Sequence, residues 1–311
     1  MGDGRKSPKK TANDITALLT AVLGEERFPV NVELVAKEYS EKTCADPITR
    51  IVGASLDDFD GMLRPSNTKP CWHIIYNTGT AYPGRERFTL AHELGHYLLH
   101  REPLKADDYR VPMEDEAVDA RSFSCTPLER HTWKTSYEQM EEEADTFASY
   151  LLMPMNDYRN LIDGEKISFE LLRAITSRYD VSLTAAARKW LEFTNKRAAM
   201  VVARDGFALW GRASTAALKS GIFICSGMPI PDQSIATLGP DAQGCEKKLP
   251  IQLPPGVWSF RRGSESVQEL TIFSERLARS LSLLIFEDTP DRNPLEEQEE
   301  WDTYDQCLRH G

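Results

Sequence analysis

Residues 91–96 read Ala91-His92-Glu93-Leu94-Gly95-His96. At 1.5 Å rise and 3.6 residues per turn, His92 and His96 share one face of a helix about 6 Å apart along its axis, so both imidazoles can reach a single cation. Glu93 is turned off that face, which suits it to hold and deprotonate a water beside the cation rather than to ligate it. It is the candidate general base. The chain holds only six histidines, so the spacing is not a by-product of a histidine-rich composition.

Working outward, residues 87–100 carry apolar positions at helical period, and a strand-like segment at 72–77 precedes them. A catalytic zinc normally takes three protein ligands and leaves one position open, so two histidines are incomplete. The metzincin continuation fails, because its glycine position is Leu99 and its third histidine position is Glu102. His100 lies one turn past His96 but is rotated about 80° from His92, which suits a supporting role better than ligation. The remaining source is a later helix, residues 138–152, opening Glu141-Glu142-Glu143-Ala144-Asp145. At 100° per residue only one of the three glutamates is expected to face the histidine helix together with Asp145, and the i, i+4 relation favours Glu141. Glu141 is the candidate third metal ligand, with Glu142 and Glu143 as alternatives. Asp145 is the candidate acceptor that orients one histidine through its free N–H. At least one of the other glutamates should be a solvated residue near the helix N-terminus.

The stretch RERFTLAHELGHYLLH, residues 85–100, followed by EEEADTFASYLLMP, residues 141–154, resembles the ImmA/IrrE family of zincin-like metallopeptidases, whose members share HExxH, a later ExxA(N/D)xFA helix and an LLMP ending. The likeness covers about residues 30–193. It implies a gluzincin-like fold, Zn2+ held by His92, His96 and Glu141, and Glu93 as the catalytic base. Some members of that family cleave helix-turn-helix repressors, so the resemblance also implies a protein substrate, such as a transcriptional repressor supplied by another chain.

The rest of the sequence frames this centre. The 311 residues carry a net charge of −11, which repels a phosphate backbone and argues against direct nucleic-acid binding. No apolar run reaches the ~20 residues needed to cross a bilayer, and the N-terminal residues are polar, so no membrane association and a cytoplasmic location are expected. Six scattered cysteines form no CxxC pair and read as reduced thiols. The expected fold is α+β. Two short helices and a small antiparallel sheet (51–55, 61–64, 72–77) should lead into the metal helices and a helical pair, making a metallopeptidase domain over residues 1–195. From 196 to 290, short alternating segments and the Asp205-Gly206 turn predict a β-rich domain with a regulatory or substrate-recruiting role. Residues 291–311 read as an acidic tail.

Further candidates are weaker. His131, Tyr109 and Tyr137 could donate to a developing oxyanion, and residues 72–77 could offer a sheet edge to an extended peptide. The helical pair 168–193, with Arg173, Arg178, Arg188 and Lys189, has a helix-turn-helix outline. Cys225 and Cys245 offer no sign of reactivity. Two rival functions stand beside a zinc endopeptidase: a zinc-containing sensing or binding module with a vestigial peptidase site, against which the intact Glu93 speaks, and a direct DNA-binding regulator. Oligomeric state is not legible.

Overall fold

A computed structural model describes residues 6–25, 27–55, 59–79, 83–105, 123–125, 136–239, 249–258, 260 and 265–287. They fall into two compact units, Met1–Lys189 and Trp190–Gly311. The division lies a few residues before the one expected at 195.

The first unit opens with α1 (Pro8–Leu23) and α2 (Val32–Thr43). Ser7 caps α1 by accepting from the amide of Lys10, and Asn31 caps α2 by accepting from Leu34 N at 3.0 Å. Next come β1 (Ile48–Ala54), β2 (Gly61–Pro65), β3 (Trp72–Asn77), the long α3 (Pro83–Lys105), β4 (Phe123–Cys125) and α4 (Ser136–Leu152). α5 (Met155–Ile162), α6 (Phe169–Tyr179) and α7 (Leu183–Phe193) complete the helices. Ser168 and Ser182 cap α6 and α7 through the amides of Leu171 and Ala185, each at 3.1 Å.

The sheet order is β1-β3-β2-β4. β2 pairs antiparallel with β3 and with β4, but β1 pairs parallel with β3, so the sheet is mixed where an antiparallel one was expected. The tight turn between β2 and β3, closed by Ser66 N to Cys71 O at 2.8 Å, makes those two a hairpin. β1 then takes the free side of β3, tied there by Trp72 N to Pro47 O at 2.9 Å and by Trp72 Nε1 to Asp46 Oδ2 at 2.9 Å. β3 is consequently an inner strand. Its backbone is paired on both sides, and the expectation that residues 72–77 offer an edge to a peptide is overturned.

The second unit holds β5 (Ala198–Arg204), β6 (Phe207–Ala213), α8 (Thr215–Lys219), α9 (Ile235–Leu238), β7 (Ile251–Gln252), β8 (Val267–Ser274) and β9 (Arg279–Phe286). Its sheet runs β6-β5-β9-β8-β7 with every pair antiparallel. Asp205 and Gly206, at φ 53° and 78°, make the expected hairpin turn. Trp258, Leu284 and Phe286 lie in its apolar core. The buried Glu269 carboxylate accepts from Ser234 Oγ at 2.9 Å, Trp258 Nε1 at 3.0 Å and Thr271 Oγ at 2.6 Å, so it is satisfied in place.

The chain is thus α+β, a helical and small-sheet region followed by a β-rich one. Among the described residues no helix is long and apolar enough to cross a membrane.

Candidate metal centre

α3 carries the centre, and its position is fixed from both ends. Near its start the Arg87 guanidinium donates to the carbonyls of Tyr179 and Val30, each at 2.8 Å. Further along, Tyr97 Oη donates to Asp46 O at 3.0 Å, and Arg101 Nε lies 3.4 Å from Asp46 Oδ1. The same Asp46 holds Trp72, so one residue ties the helix to the sheet beneath it.

α4 then crosses α3 at very short range. A Cβ built on Gly95 would stand 3.2 Å from the Ala144 Cα and 3.1 Å from the Phe147 ring, so a methyl there would push its neighbours back by a few tenths of an ångström. The crossing brings the α4 carboxylates onto the histidine face. His92 Nε2 lies 3.4 Å from Glu141 Oε2, His96 Nε2 lies 3.2 Å from Glu141 Oε1, and the two Nε2 atoms are 2.9 Å apart. His92, His96 and Glu141 are the three residues whose ligating atoms cluster among the described residues.

Their outer contacts test whether a cation fits. His92 Nδ1 faces Asp145 Oδ1 at 3.0 Å; a carboxylate only accepts, so this nitrogen carries the proton and Nε2 keeps its lone pair. His100 Nε2 likewise faces Glu143 Oε2 at 3.0 Å, which leaves His100 Nδ1 as the acceptor for His96 Nδ1–H, also at 3.0 Å. His96 Nε2 therefore presents a lone pair as well. Burial pushes His96 down to about 4 against the opposing pull of Glu141, so its ring is neutral near pH 7. Two lone pairs and a carboxylate aimed at one point is a donor set that only a cation satisfies, and imidazole with carboxylate suits zinc.

Glu93 is fully buried at 0% exposure, on the same helix. A Cβ on Gly61, the first residue of β2, would fall 2.6 Å from Glu93 Oε1, so the bare backbone there leaves the space the Glu93 carboxylate occupies.

Of the residues expected from sequence, His92, His96, Glu141 and Asp145 are thus brought together, and Glu93 is buried on the same helix as the histidines with its carboxylate against Gly61. Glu142 is exposed, as a solvated residue of that run should be. Glu143 is not: its carboxylate reaches α3 at His100, although only one glutamate of the three was expected to face that helix. Its long side chain can swing round the flank of α4, and His100, turned about 80° from His92, points to that flank. The His92, His96, His100 spacing, each one turn apart, was the signal available for this contact.

Tyr109 and His131 lie outside the described residues, as does Cys245, while Tyr137 sits half-buried at the start of α4. Of the four basic residues of the helical pair, Arg173 and Arg188 are exposed and the other two are engaged within the protein. Lys189 is buried with Nζ 3.3 Å from the Tyr150 ring centroid, and Arg178 is paired with Asp157 at 2.7 Å.

The Gly95 contact makes a direct prediction. Gly95→Ala should lower stability by about 1–3 kcal/mol in a thermal or denaturant melt, because the backbone of Ala144 must move, and it should weaken metal binding by separating Glu141 from the histidines. Intrinsic propensity alone would stabilise the helix by about 1 kcal/mol, so a more stable variant would show that the crossing has room to spare.

Comparison with known proteins agrees with this geometry. Residues 44–191 match the family described as the IrrE N-terminal-like domain of the M78 peptidases. The chain is 29% identical over 218 residues to the radiation response metalloprotease IrrE of Deinococcus deserti, covering 67% of this chain and 69% of that protein. In fold it is similar to a Mycobacterium tuberculosis transcriptional regulator, 12% identical with a TM-score of 0.51, over 90% of this chain and 75% of that one. Residues 44–191 therefore match an IrrE-like metallopeptidase domain, and the chain is similar to members of the ImmA/IrrE family.

Proposed function

We propose that this chain is a zinc endopeptidase that cuts a partner protein at a specific site, with His92, His96 and Glu141 as the zinc ligands and Glu93 as the general base. The observation that carries the reading is the convergence of two imidazole lone pairs and one carboxylate, with a buried glutamate on the helix that bears the two histidines. Zinc bound there would supply Lewis acidity, activating water for attack and polarising the scissile carbonyl. Glu93 accepts the proton released in the attack and delivers it to the leaving amine. Glu141 and the two histidines hold the site neutral enough to favour that transfer, and Asp145 keeps the His92 ring in its ligating tautomer.

A transcriptional repressor of helix-turn-helix type is the substrate class we favour, on the family resemblance of the two metal helices. The proposed donors and base all lie in the first unit, so we assign residues 196–290 to substrate recruitment or regulation. Work in the cytoplasm suits cysteines that are scattered along the sequence with no CxxC pair.

The experiment is a comparison of the proteomes of cells carrying the wild-type chain and Glu93→Gln. One protein should yield a fragment only with the wild type, and its cut site should be reproduced by the purified enzyme. Identical fragment patterns in the two strains under inducing stress, with no cleavage by purified enzyme, would overturn the proposal.

A further inference from the structure

The two histidines are held differently, and the difference points to residues with a specific task. His92 has a carboxylate directly on its Nδ1, that of Asp145 at 3.0 Å. His96 is held through another ring. Its Nδ1 meets a third imidazole, His100 Nδ1, at 3.0 Å, and that ring meets the Glu143 carboxylate through Nε2 at 3.0 Å. Glu143 is itself held by Gln139, whose Nε2 donates to Oε1 at 3.0 Å. The carboxylate is thus tethered on one oxygen and free to orient His100 with the other.

We propose that His100 and Glu143 form a relay that positions His96, doing through two links what Asp145 does for His92 in one. The inference rests on the zinc reading above and deepens it. The proton on His100 Nε2 is drawn to Glu143, which leaves His100 Nδ1 only a lone pair. That lone pair can accept only from His96 Nδ1–H, so the His96 proton is kept on the side away from the centre and Nε2 is left to the cation. Without the relay His96 could carry its proton on Nε2, donate to Glu141 and occupy the position a metal needs. The burial of both rings matters, since 0% exposure for His96 and 4% for His100 exclude water as a substitute acceptor. α4 then contributes three carboxylates with three tasks: Glu141 toward the centre, Asp145 on His92, and Glu143 on His96 by way of His100. Neither His100 nor Glu143 touches the reacting atoms; both are positioning residues.

The test measures zinc affinity of the full chain by competition with a chromophoric chelator, with the d–d absorption of the cobalt(II)-loaded protein as a second readout. His100→Leu keeps the apolar volume and removes the acceptor, and should weaken zinc about 10- to 100-fold and change the cobalt spectrum. His100→Asn, whose Oδ1 can stand where Nδ1 stood, should recover most of that loss. Glu143→Ala leaves the His100 ring in its packing and should weaken zinc in the same direction, and it carries the test should His100→Leu fail to fold. Wild-type affinity in His100→Leu or Glu143→Ala would overturn the relay, as would an Asn variant no better than Leu, which would make the ring a packing element. Those outcomes are distinct from failure of the zinc site itself, in which the wild-type chain would bind no zinc, or would bind it undiminished after loss of His92 and His96.

Discussion

Glu93→Gln should lower hydrolysis by about 10²- to 10⁴-fold while leaving zinc content and thermal stability close to wild type. The amide keeps the shape of a side chain that is fully buried and packed behind the backbone of Gly61, so the fold loses little. It removes the one function the carboxylate has in the mechanism, accepting a proton from the attacking water. The measurement is cleavage of the partner fragmenting in the proteome comparison, or of a fluorogenic peptide library, beside metal analysis of the same preparation. Turnover at the wild-type rate would transfer the base to another residue. Loss of metal together with turnover would make Glu93 structural.

The second large effect is on the metal. The His92→Ala, His96→Ala double variant should lose stoichiometric zinc after dialysis, because one carboxylate cannot hold the ion against water without the two nitrogens. Glu141→Ala should weaken binding sharply, Asp145→Ala by about 10- to 100-fold, and the exposed Glu142→Ala hardly at all. Retained stoichiometric zinc in the double variant would remove the assignment. A metal-bound structure with the Glu143 carboxylate, rather than that of Glu141, within about 2.2 Å of the ion would change the register of α4.

These expectations divide by how far the chain must reach. The His92–His96 face, the off-face Glu93 and the Glu141–Asp145 pair were legible because helical period is local: four residues along one helix fix two side chains on one side whatever the rest of the protein does. The Asp205-Gly206 turn was legible for the same reason, since a hairpin turn is set by the two residues at its centre. α5 escaped because it is only eight residues long and follows at once on Pro154.

What depended on distant parts of the chain was decided by packing. Parallel pairing of β1 with β3 follows from Asp46 and Pro47 engaging Trp72, some 25 residues on, and no periodicity within either strand encodes it. Gly95 stands in the sequence as a glycine inside a helix, and only the structure, where a Cβ added there would stand 3.2 Å from the Ala144 Cα, reveals how closely α4 approaches at this point. Glu143 stood in the sequence as one of three equivalent glutamates. Its contact with His100 exists because two helices, joined through a long intervening segment, cross at one particular height, and that height is set by close packing of small residues rather than by the charge of the glutamate itself.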